Sequence, residues 1–371
     1  MAITHNGSLT NAYELRQKLE MEGAIFHSTG DTEVIAYEIT KNRITSKSIE
    51  EAVSKTMKIL KGAYSLVIMS PSKLIAVRDP LGFHPLCIGK IGNSFVFTSE
   101  SCALDSIGAE FVRDVEPGEI VIADKDGLRS NKENCVKKSG MCIFEYIYFA
   151  RPDSVIDGTA VHEARKMAGR YLAKEHPVDA DIVIGVPDSG IDAALGYAQE
   201  SGIPYGMGFI KNKYIGRTFI QPTQSDREDK VRIKLNTIAS AVRGKRVVMA
   251  DDSIVRGTTC ARIVKLLRDA GAKEVHMRVS SPPFMYPCYF GTDIDSRDKL
   301  IANNHSIDEI AKIIDVDTLG YISIENTKKI AVNTKLDFCV GCFTGEYPSE
   351  PPKKTEKPKY MYKIGEGNTD E

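Results

Sequence analysis

The chain has 371 residues, which corresponds to about two domains at roughly 100–200 residues each. Its 42% hydrophobic and 27% charged residues are typical of a globular protein and exclude a disordered or fibrous chain. The 49 basic and 50 acidic residues leave a net charge of −1, so no bulk positive field attracts nucleic acid or an anionic membrane. Any anion site must therefore be built locally.

The sequence shows no pattern typical of a membrane span, a secretory signal or a disulfide framework. No apolar run reaches the ~18 residues of a bilayer span, and the first seven residues lack the basic flank and apolar run of a secretory signal. The eight cysteines are irregularly spaced, which favours a metal site or buried thiols over a disulfide framework. We expect a cytoplasmic protein of two domains, with neither a nucleic-acid nor a membrane partner.

Short β runs separated by turn residues dominate the first third of the chain. A first helix is predicted over 10–22, with Thr10 or Asn11 as its cap and Gly23 after its end. Strands are predicted at residues 67–69, 74–77, 95–97 and 120–122. This succession is typical of an antiparallel, hairpin-rich layer.

From about Cys142 onward, predicted strands and helices alternate. Helices are expected over 155–175, from about Asp192, and over 259–270 before Gly271; strands are expected at 181–186, 246–250 and 274–279. Such alternation indicates a parallel sheet with crossover helices. Residues 351–359, rich in Pro and Lys, indicate a solvated tail.

The most informative stretch is 247–259, where a buried strand delivers Asp251 and Asp252 at its carboxyl end. A loop with Ser253, Gly257, Thr258 and Thr259 then opens a helix, whose backbone N–H groups would form a phosphate cradle. Carboxylates beside a phosphate fit if they bind ribose hydroxyls or a Mg²⁺ ion that the substrate also touches. The pattern favours a sugar with both phosphate and diol; the simpler alternative is an acidic cap on the next helix.

Three further segments could carry chemistry. Residues 186–190 follow another buried strand, and 211–220 combine cations, an aromatic residue and a glycine hinge, as a lid over a polyanion needs. An ordinary turn and a solvated basic loop are the respective alternatives. Cys339 and Cys342, two residues apart, could be half of a zinc or iron–sulfur site, or a redox pair.

These strings resemble a known family. Residues 247–259 are similar to the 5-phosphoribosyl-1-pyrophosphate (PRPP) motif of type I phosphoribosyltransferases. With 142–154, 186–190, 211–220 and 339–345 they resemble the glutamine PRPP amidotransferase family. The resemblance implies a mixed α/β and α+β fold. It comprises an incomplete class II glutamine amidotransferase domain of the N-terminal-nucleophile type (1–138), a type I phosphoribosyltransferase domain with a parallel sheet (139–347) and a flexible tail (348–371).

The resemblance also implies a reaction, in which ammonia attacks C1 of PRPP and pyrophosphate leaves. Mg²⁺ would contact Ser189, Asp251 and Asp252, and Lys211, Tyr214 and Arg217 would close over the pyrophosphate. The implied PRPP-binding residues are Asp188, Ser189, Gly190, Asp251, Asp252, Ser253, Gly257, Thr258 and Thr259.

By the same resemblance, Cys142, Cys288, Cys339 and Cys342 would ligate a [4Fe–4S] cluster of structural function. Thiolate spacing alone leaves zinc as an alternative. The other four thiols are expected to be core or incidental residues: Cys87, Cys102, Cys135 and Cys260.

The first residues resemble the glutamine site of that family. Asn6 and Gly7 match its oxyanion element, Asp31 matches the residue that grips the α-amino group of glutamine, and His84 replaces the usual Arg. An N-terminal nucleophile needs its thiol and free amine on one residue, whereas here Met1 precedes Ala2. We expect a chain without the glutaminase nucleophile, with exposed apolar surface and an unpaired sheet edge. A homo-oligomer or a partner chain would cover that surface.

Two other functional classes stay open. A PRPP-binding regulator, or an inactive fragment that needs a partner chain, would keep the cradle without catalysis. A purine or pyrimidine salvage transferase would share the PRPP motif but not the amidotransferase strings or the four cysteines.

Overall fold

Two facing antiparallel sheets form the amino-terminal part of the protein. The computed structural model describes residues 1–212, 235–292, 294 and 296–353. The strands of this part are β1 (Ala2–Leu9), β2 (Gly62–Met69), β3 (Leu74–Arg78), β4 (Cys87–Ile91), β5 (Ser94–Thr98), β6 (Glu110–Asp114), β7 (Ile120–Asp124) and β8 (Gly127–Asn131). The larger sheet has the order β1-β2-β3-β7-β8 and the smaller one the order β5-β4-β6. The predicted hairpin-rich layer is confirmed.

Alternating side chains on the larger sheet separate two cores. Ile75 and Val77 point to one face, where they pack with residues of three helices, whereas Ala76 points to the other face and packs against the smaller sheet. This period of two is the normal consequence of the pleat. The helices are α1 (Ala12–Met21), α2 (Asp31–Ile44) and α3 (Ile49–Met57), and α4 (Ser101–Ser106) covers the smaller sheet.

The start of α1 differs in detail from the sequence prediction. Asn11 occupies the N-cap position, but its side chain does not cap the helix. It accepts a hydrogen bond from the Lys61 N–H and donates one to the Ile59 carbonyl. A long-range contact between α1 and the entry to β2 thus replaces the local cap.

A four-stranded parallel sheet forms the centre of the carboxyl-terminal part, as predicted. Its order is β12-β15-β16-β17. The strands of this part are β9 (Met141–Cys142), β10 (Val155–Ile156), β11 (Thr159–Ala160), β12 (Ile182–Gly185), β13 (Phe209–Lys211), β14 (Leu235–Thr237), β15 (Arg246–Asp251), β16 (Glu274–Val279), β17 (Thr318–Tyr321) and β18 (Phe338–Cys339).

Helices cover both faces of this sheet. Those described are α5 (Val161–Glu175), α6 (Gly190–Ser201), α7 (Ala239–Val242), α8 (Thr258–Asp269), α9 (Ile301–Asn304), α10 (Ile307–Ile313), α11 (Ile324–Thr327) and α12 (Gly341–Thr344), with a π-helix at Glu145–Phe149 and a 3-10 turn at Arg297–Lys299. In the described ranges, no helix combines the length and apolar character that crossing a bilayer requires.

One sequence prediction about these helices is wrong. Residues 155–160 form the hairpin β10–β11 instead of the first turns of a helix, so α5 begins only at Val161. Asp157 and Gly158 have positive φ angles of 44° and 80°, which a helix does not admit. The Asp157 carboxylate pairs with Arg78 of β3, at 2.9 Å, and this long-range contact was not visible in the sequence pattern.

Helices α5 and α6 pack on one face of the sheet at glycine contacts. A methyl group added at Gly169 would lie 1.9 Å from the Ala193 carbonyl oxygen, and one at Gly196 would lie 1.9 Å from the Lys166 carbonyl oxygen. These positions accept only glycine because the two backbones touch. The close approach places the start of α6 directly beside the end of β15.

A buried seam joins the two parts of the chain. The Phe83 and Phe290 rings stack with centroids 4.2 Å apart, and the Arg78 guanidinium, fully buried, pairs with Asp157 across the seam. Desolvation opposes the charge of Arg78, but the Asp157 carboxylate raises the pKa of this guanidinium. The domain boundaries at 138 and 347 stay a prediction.

Candidate functional site

The ends of two neighbouring strands bring Ser189 together with Asp251 and Asp252, which we call the acid pair. Strands β12 and β15 are paired in parallel, with Gly185 opposite Ala250. The loop after β12 therefore lies beside the loop after β15. The Ser189 hydroxyl donates a hydrogen bond to the Asp252 carboxylate, and so does the Ser253 hydroxyl. The sequence expectation that Ser189 and the acid pair face one end of the sheet agrees with this geometry.

Gly190 is the residue that permits this approach. A methyl group at this position would lie 2.4 Å from the Ala250 carbonyl oxygen. Real Cβ atoms do not come so close to a backbone oxygen, so a larger residue would push the loop after β12 away from β15. The Pro-Asp-Ser-Gly string is thus more than an ordinary turn in this fold.

The acid pair is under electrostatic strain in the protein alone. Burial in the cleft floor and the negative charge of Asp252 raise the pKa of Asp251 well above its usual range. The Asp252 N–H donates to Asp251 Oδ1 at 2.9 Å, which offsets part of that cost. A cation bound here would relieve the repulsion between the two carboxylates.

The donor set suits a hard divalent cation. Two carboxylates and a serine hydroxyl supply only oxygen atoms, which Mg²⁺ prefers, and this ion keeps several water or substrate ligands. Within the described residues, no three His, Cys, Asp or Glu side chains converge as a ready-made metal site. The remaining ligands at the acid pair would therefore come from solvent and substrate.

A phosphate cradle follows the acid pair. Gly257 has a φ of +78° at the N-cap of α8, and Thr258 and Thr259 expose their side chains in its first turn. The N–H groups at this helix start have no partner within the helix, and the helix dipole favours an anion there. Residues 251 and 253–260 line the hollow in front of them.

Lys211 is placed within reach of the same cleft. Lys211 at the end of β13 pairs with Asp188 of the loop after β12, 2.5 Å away, and both side chains are exposed. An exposed ion pair contributes little stability, so Lys211 could leave Asp188 and bind an incoming polyanion with little loss of stability. Tyr214 and Arg217, the other two predicted lid residues, lie outside the described residues.

An aromatic wall on the cleft was not identified as a site element from the sequence. The cleft has a volume of ≈ 600 Å³ and is lined by Ser189, Lys211 and the acid pair on one side. Phe144, Tyr148, Phe149 and Phe284 line it as well. Tyr148 and Phe149 are 50% and 39% exposed, which is unusual for large aromatic side chains. The aromatic run at 144–149 was the available signal.

Four cysteines line one cavity behind this cleft. Cys142 of β9 lies in register with Cys339 of β18, and both line a small cavity of ≈ 20 Å³ together with Cys288 and Cys342. Burial raises the pKa of the Cys339 thiol to about 12, and burial with the neighbouring thiolates raises the pKa of Cys142 and Cys342. Without a metal these thiols stay protonated. We name this space the thiol cavity.

His84 connects the thiol cavity to both parts of the chain. Its Nδ1 lies 2.7 Å from Glu145 Oε1 and its Nε2 lies 2.9 Å from the Phe290 carbonyl oxygen. Burial disfavours the imidazolium, but the hydrogen bond to Glu145 raises the pKa of His84 above its usual value. His84, which departs from the family pattern, therefore has two defined hydrogen-bond partners.

The glutamine-type residues lie at the start of the chain. Gly7 on β1 has a φ of +136°, and a methyl group there would lie 2.2 Å from the Ala63 carbonyl oxygen. Asp31 Oδ2 accepts hydrogen bonds from the Leu9 N–H at 2.9 Å and the Ser8 hydroxyl at 3.2 Å. Asp31 is thus tied to the strand that carries Asn6 and Gly7.

Comparison with family models matches both parts of the chain. A glutamine amidotransferase domain matches residues 1–106. A phosphoribosyl transferase domain matches residues 158–281, which contain the acid pair, Ser189 and the cradle.

Curated relatives share about half of the residues over nearly the whole chain. The amidophosphoribosyltransferase of Archaeoglobus fulgidus is 50% identical, over 95% of this chain and 78% of its own length. That of Bacillus subtilis is 48% identical, over 96% of this chain and 76% of its own length. Both carry the same name.

A solved structure has the same fold. Glutamine phosphoribosylpyrophosphate amidotransferase from Bacillus subtilis, in complex with ADP and GMP, superposes with a TM-score of 0.89. It is 48% identical, and the alignment covers 96% of this chain and 79% of that one.

The cradle makes a prediction about Gly257→Ala. A Cβ at φ +78° costs about 1–2 kcal/mol of stability. The loop that presents the N–H groups must then shift. Loss of one such hydrogen bond to a charged phosphate is worth about 1.5–3 kcal/mol, so we expect roughly 10- to 100-fold weaker binding of ribose 5-phosphate in calorimetry.

Gly244→Ala is the matched control, because Gly244 has a φ of +72° and nothing within 4 Å of an added methyl group. This variant should lose similar stability and bind ribose 5-phosphate normally. Equal binding by both variants would argue against the cradle.

Proposed function

The chain belongs to the amidophosphoribosyltransferase family, and from this premise we propose that it converts PRPP and ammonia to 5-phosphoribosylamine and pyrophosphate, the first step of de novo purine synthesis. The observation that carries the proposal is the contact between Ser189 and Asp252. It joins the loops after two neighbouring strands in front of an anion cradle. Glutamine is the proposed source of ammonia when the nucleophile of its site is supplied.

The acid pair binds the ribose and the metal in this proposal. Asp251 and Asp252, with Ser189, would hold Mg²⁺, and the raised pKa of Asp251 supports a site that is stabilised by a cation. Bound Mg²⁺ supplies positive charge for the departing pyrophosphate. Asp188 and Gly190 belong to the loop after β12, which would bind the same leaving group, and the Gly190 N–H itself stabilises that loop by donating to the Val186 carbonyl at 2.9 Å.

The cradle and the lid bind the two ends of the substrate. Ser253, Gly257, Thr258 and Thr259 would hold the 5-phosphate at the start of α8. Lys211 is proposed to leave its ion pair with Asp188 and to bind the pyrophosphate instead. Tyr214 and Arg217 are proposed to complete that lid.

The 371-residue chain, assayed by itself, is proposed to use ammonia and not glutamine. Asn6, Gly7 and Asp31 supply an oxyanion element and an amine-binding carboxylate. Cys87, Cys102 and Cys135, the cysteines in the amino-terminal part, lie within the chain, where a thiol lacks the free α-amine that serves as base.

An assay with purified chain, PRPP and Mg²⁺ tests these proposals. We expect pyrophosphate release with ammonium chloride and none above background with glutamine. Asp252→Asn should lower the ammonium-dependent rate by roughly 10²-fold or more, because an amide cannot balance the cation that neutralises the leaving group.

Glu274→Gln serves as a surface carboxylate control on β16 and should leave the rate unchanged. Tight binding of PRPP without release under either condition would favour the regulator. Release with glutamine would contradict the missing-nucleophile proposal.

The thiol cavity is proposed to hold a structural [4Fe–4S] cluster on Cys142, Cys288, Cys339 and Cys342. Four thiols line one largely apolar cavity, and metal binding deprotonates thiols even when burial opposes it. Within the described residues, no three His, Cys, Asp or Glu side chains are already arranged to hold a metal ion, and thiolate ligands suit zinc as well as iron–sulfur clusters. The choice of an iron–sulfur cluster over zinc therefore rests on the resemblance of these four cysteine positions to the family.

Metal analysis of anaerobically purified protein tests the cluster. We expect equal amounts of iron and acid-labile sulfide, with both lost in Cys339→Ser because one bridge between β18 and the cluster is removed. Cys135→Ser, at a partly buried thiol outside the cavity, should keep them. Zinc without sulfide, or protein without metal, would overturn the assignment.

Another polypeptide is proposed to cover two sheet edges, either a second copy in a homo-oligomer or a partner chain. Strand β1 ends the larger sheet and β6 ends the smaller one, and Phe111 and Val112 of β6 are exposed. Such edges favour pairing or aggregation. Sedimentation velocity should show self-association, and a soluble monomer at high concentration would contradict the proposal. Cytoplasmic location likewise stays a proposal.

A further inference from the structure

A buried cation lies beneath the aromatic wall of the cleft. Arg165 on α5 is 3% exposed. Its guanidinium donates hydrogen bonds to three backbone carbonyls: Tyr146 at 2.8 Å, Tyr148 at 2.9 Å and Ala150 at 2.7 Å. A planar guanidinium fork can serve three acceptors at once, which an ammonium cannot do with the same geometry.

The local sequence explains why these carbonyls need an external donor. They belong to the π-helix at 145–149 and its C-terminal end, where carbonyls lack partners within the helix. Pro152 follows four residues after Tyr148 and has no N–H to donate. Arg165 therefore replaces hydrogen bonds that the chain itself cannot make.

The segment held in this way carries the aromatic wall. Tyr148 and Phe149 both contact Phe144, the first with tilted rings and the second edge-on, with centroids 5.7 and 5.4 Å apart, and Phe144 contacts Phe284 at 5.3 Å. All four rings line the cleft that also contains Ser189 and the acid pair. The position of the wall thus depends on the carbonyls that Arg165 binds.

Other contacts also hold both ends of the segment, and at its C-terminal end the Arg151 N–H donates to the Glu100 carboxylate at 2.8 Å. Glu145 is held by His84 at 2.7 Å, and the Tyr146 hydroxyl donates to the Ile156 carbonyl at 2.8 Å. The exposed rings lie between these anchors. Burial lowers the pKa of Arg165, and the negative charges of Asp192, Asp252 and Glu100 oppose that shift.

We propose that Arg165 is a positioning residue for amination: it holds the aromatic wall so that ammonia, and not water, reaches C1 of the ribose. This inference rests on the proposed function. When the C1–oxygen bond to pyrophosphate breaks, ammonia forms a C1–nitrogen bond and loses a proton. Water in its place forms a C1–oxygen bond, loses a proton and gives ribose 5-phosphate. An apolar wall that is held in the correct position excludes water and therefore excludes the second reaction.

The experiment measures how the wild-type chain and Arg165→Lys divide PRPP between the two products, with ammonium and Mg²⁺ present. We expect Arg165→Lys to lower the amination rate by roughly 10- to 100-fold, because a misplacement of about 1 Å has an effect of this size. Ribose 5-phosphate should rise as a fraction of all product. The KM for PRPP should change little, since its ligands stay in place.

Two further variants keep the inference testable. Tyr148→Ala removes a ring that is 50% exposed and rests on Phe144, and it should raise the hydrolysis fraction in the same direction, even if Arg165→Lys fails to fold. Arg170→Gln is the matched control on α5, since its guanidinium bonds to Gln199 at 3.2 Å on the surface. It should divide PRPP as the wild type does.

The outcomes separate two failures. A wild-type chain that releases no pyrophosphate with ammonium contradicts the proposed function. An active wild type whose product ratio is unchanged in folded Arg165→Lys, or in Tyr148→Ala, overturns the positioning role of Arg165. A uniform loss of both products without a change in their ratio would show a merely structural role and would overturn it as well.

Discussion

The meeting of two strand ends is the constraint on which the site depends. Ser189 reaches Asp252 only because β12 and β15 are adjacent and parallel, and because Gly190 lets the loop after β12 come within van der Waals contact of Ala250. The crossover helices follow from the same need, since parallel neighbours require long connections. This arrangement also places two carboxylates side by side, and a cation must relieve the repulsion between them.

A short segment after β16 connects the three functional features. Phe290 accepts a hydrogen bond from His84, and Cys288 lines the thiol cavity. A methyl group at Gly291 would lie 3.2 Å from Gly7 of the glutamine-type element, and Thr292 lines the substrate cleft. Residues 288–292 therefore touch both candidate sites and the cavity between them, so the two halves of the chain cannot shift independently here.

Buried charge is used in two ways in this protein. Arg78 donates to three backbone carbonyls and is also balanced by the Asp157 carboxylate across the seam, whereas the hydrogen bonds of Arg165 go to three carbonyls. Either cation would be costly to leave unpaired in the interior. Arg78 fixes a hairpin against the amino-terminal sheets, and Arg165 fixes an aromatic segment at the cleft. Each buried cation therefore holds one stretch of backbone in a defined position.

The sequence by itself determined the elements and the chemistry that lies close together along the chain. Alternation predicted the strands, and Asp251, Asp252, Gly257 and the hydroxyls near them predicted a phosphate and metal site, because local spacing controls which groups share one loop. The tertiary structure alone decided the hairpin at 155–160, the partners of Asn11 and His84, the convergence of four distant cysteines and the aromatic wall over Arg165. Those depend on contacts between residues far apart in sequence, which periodicity does not encode.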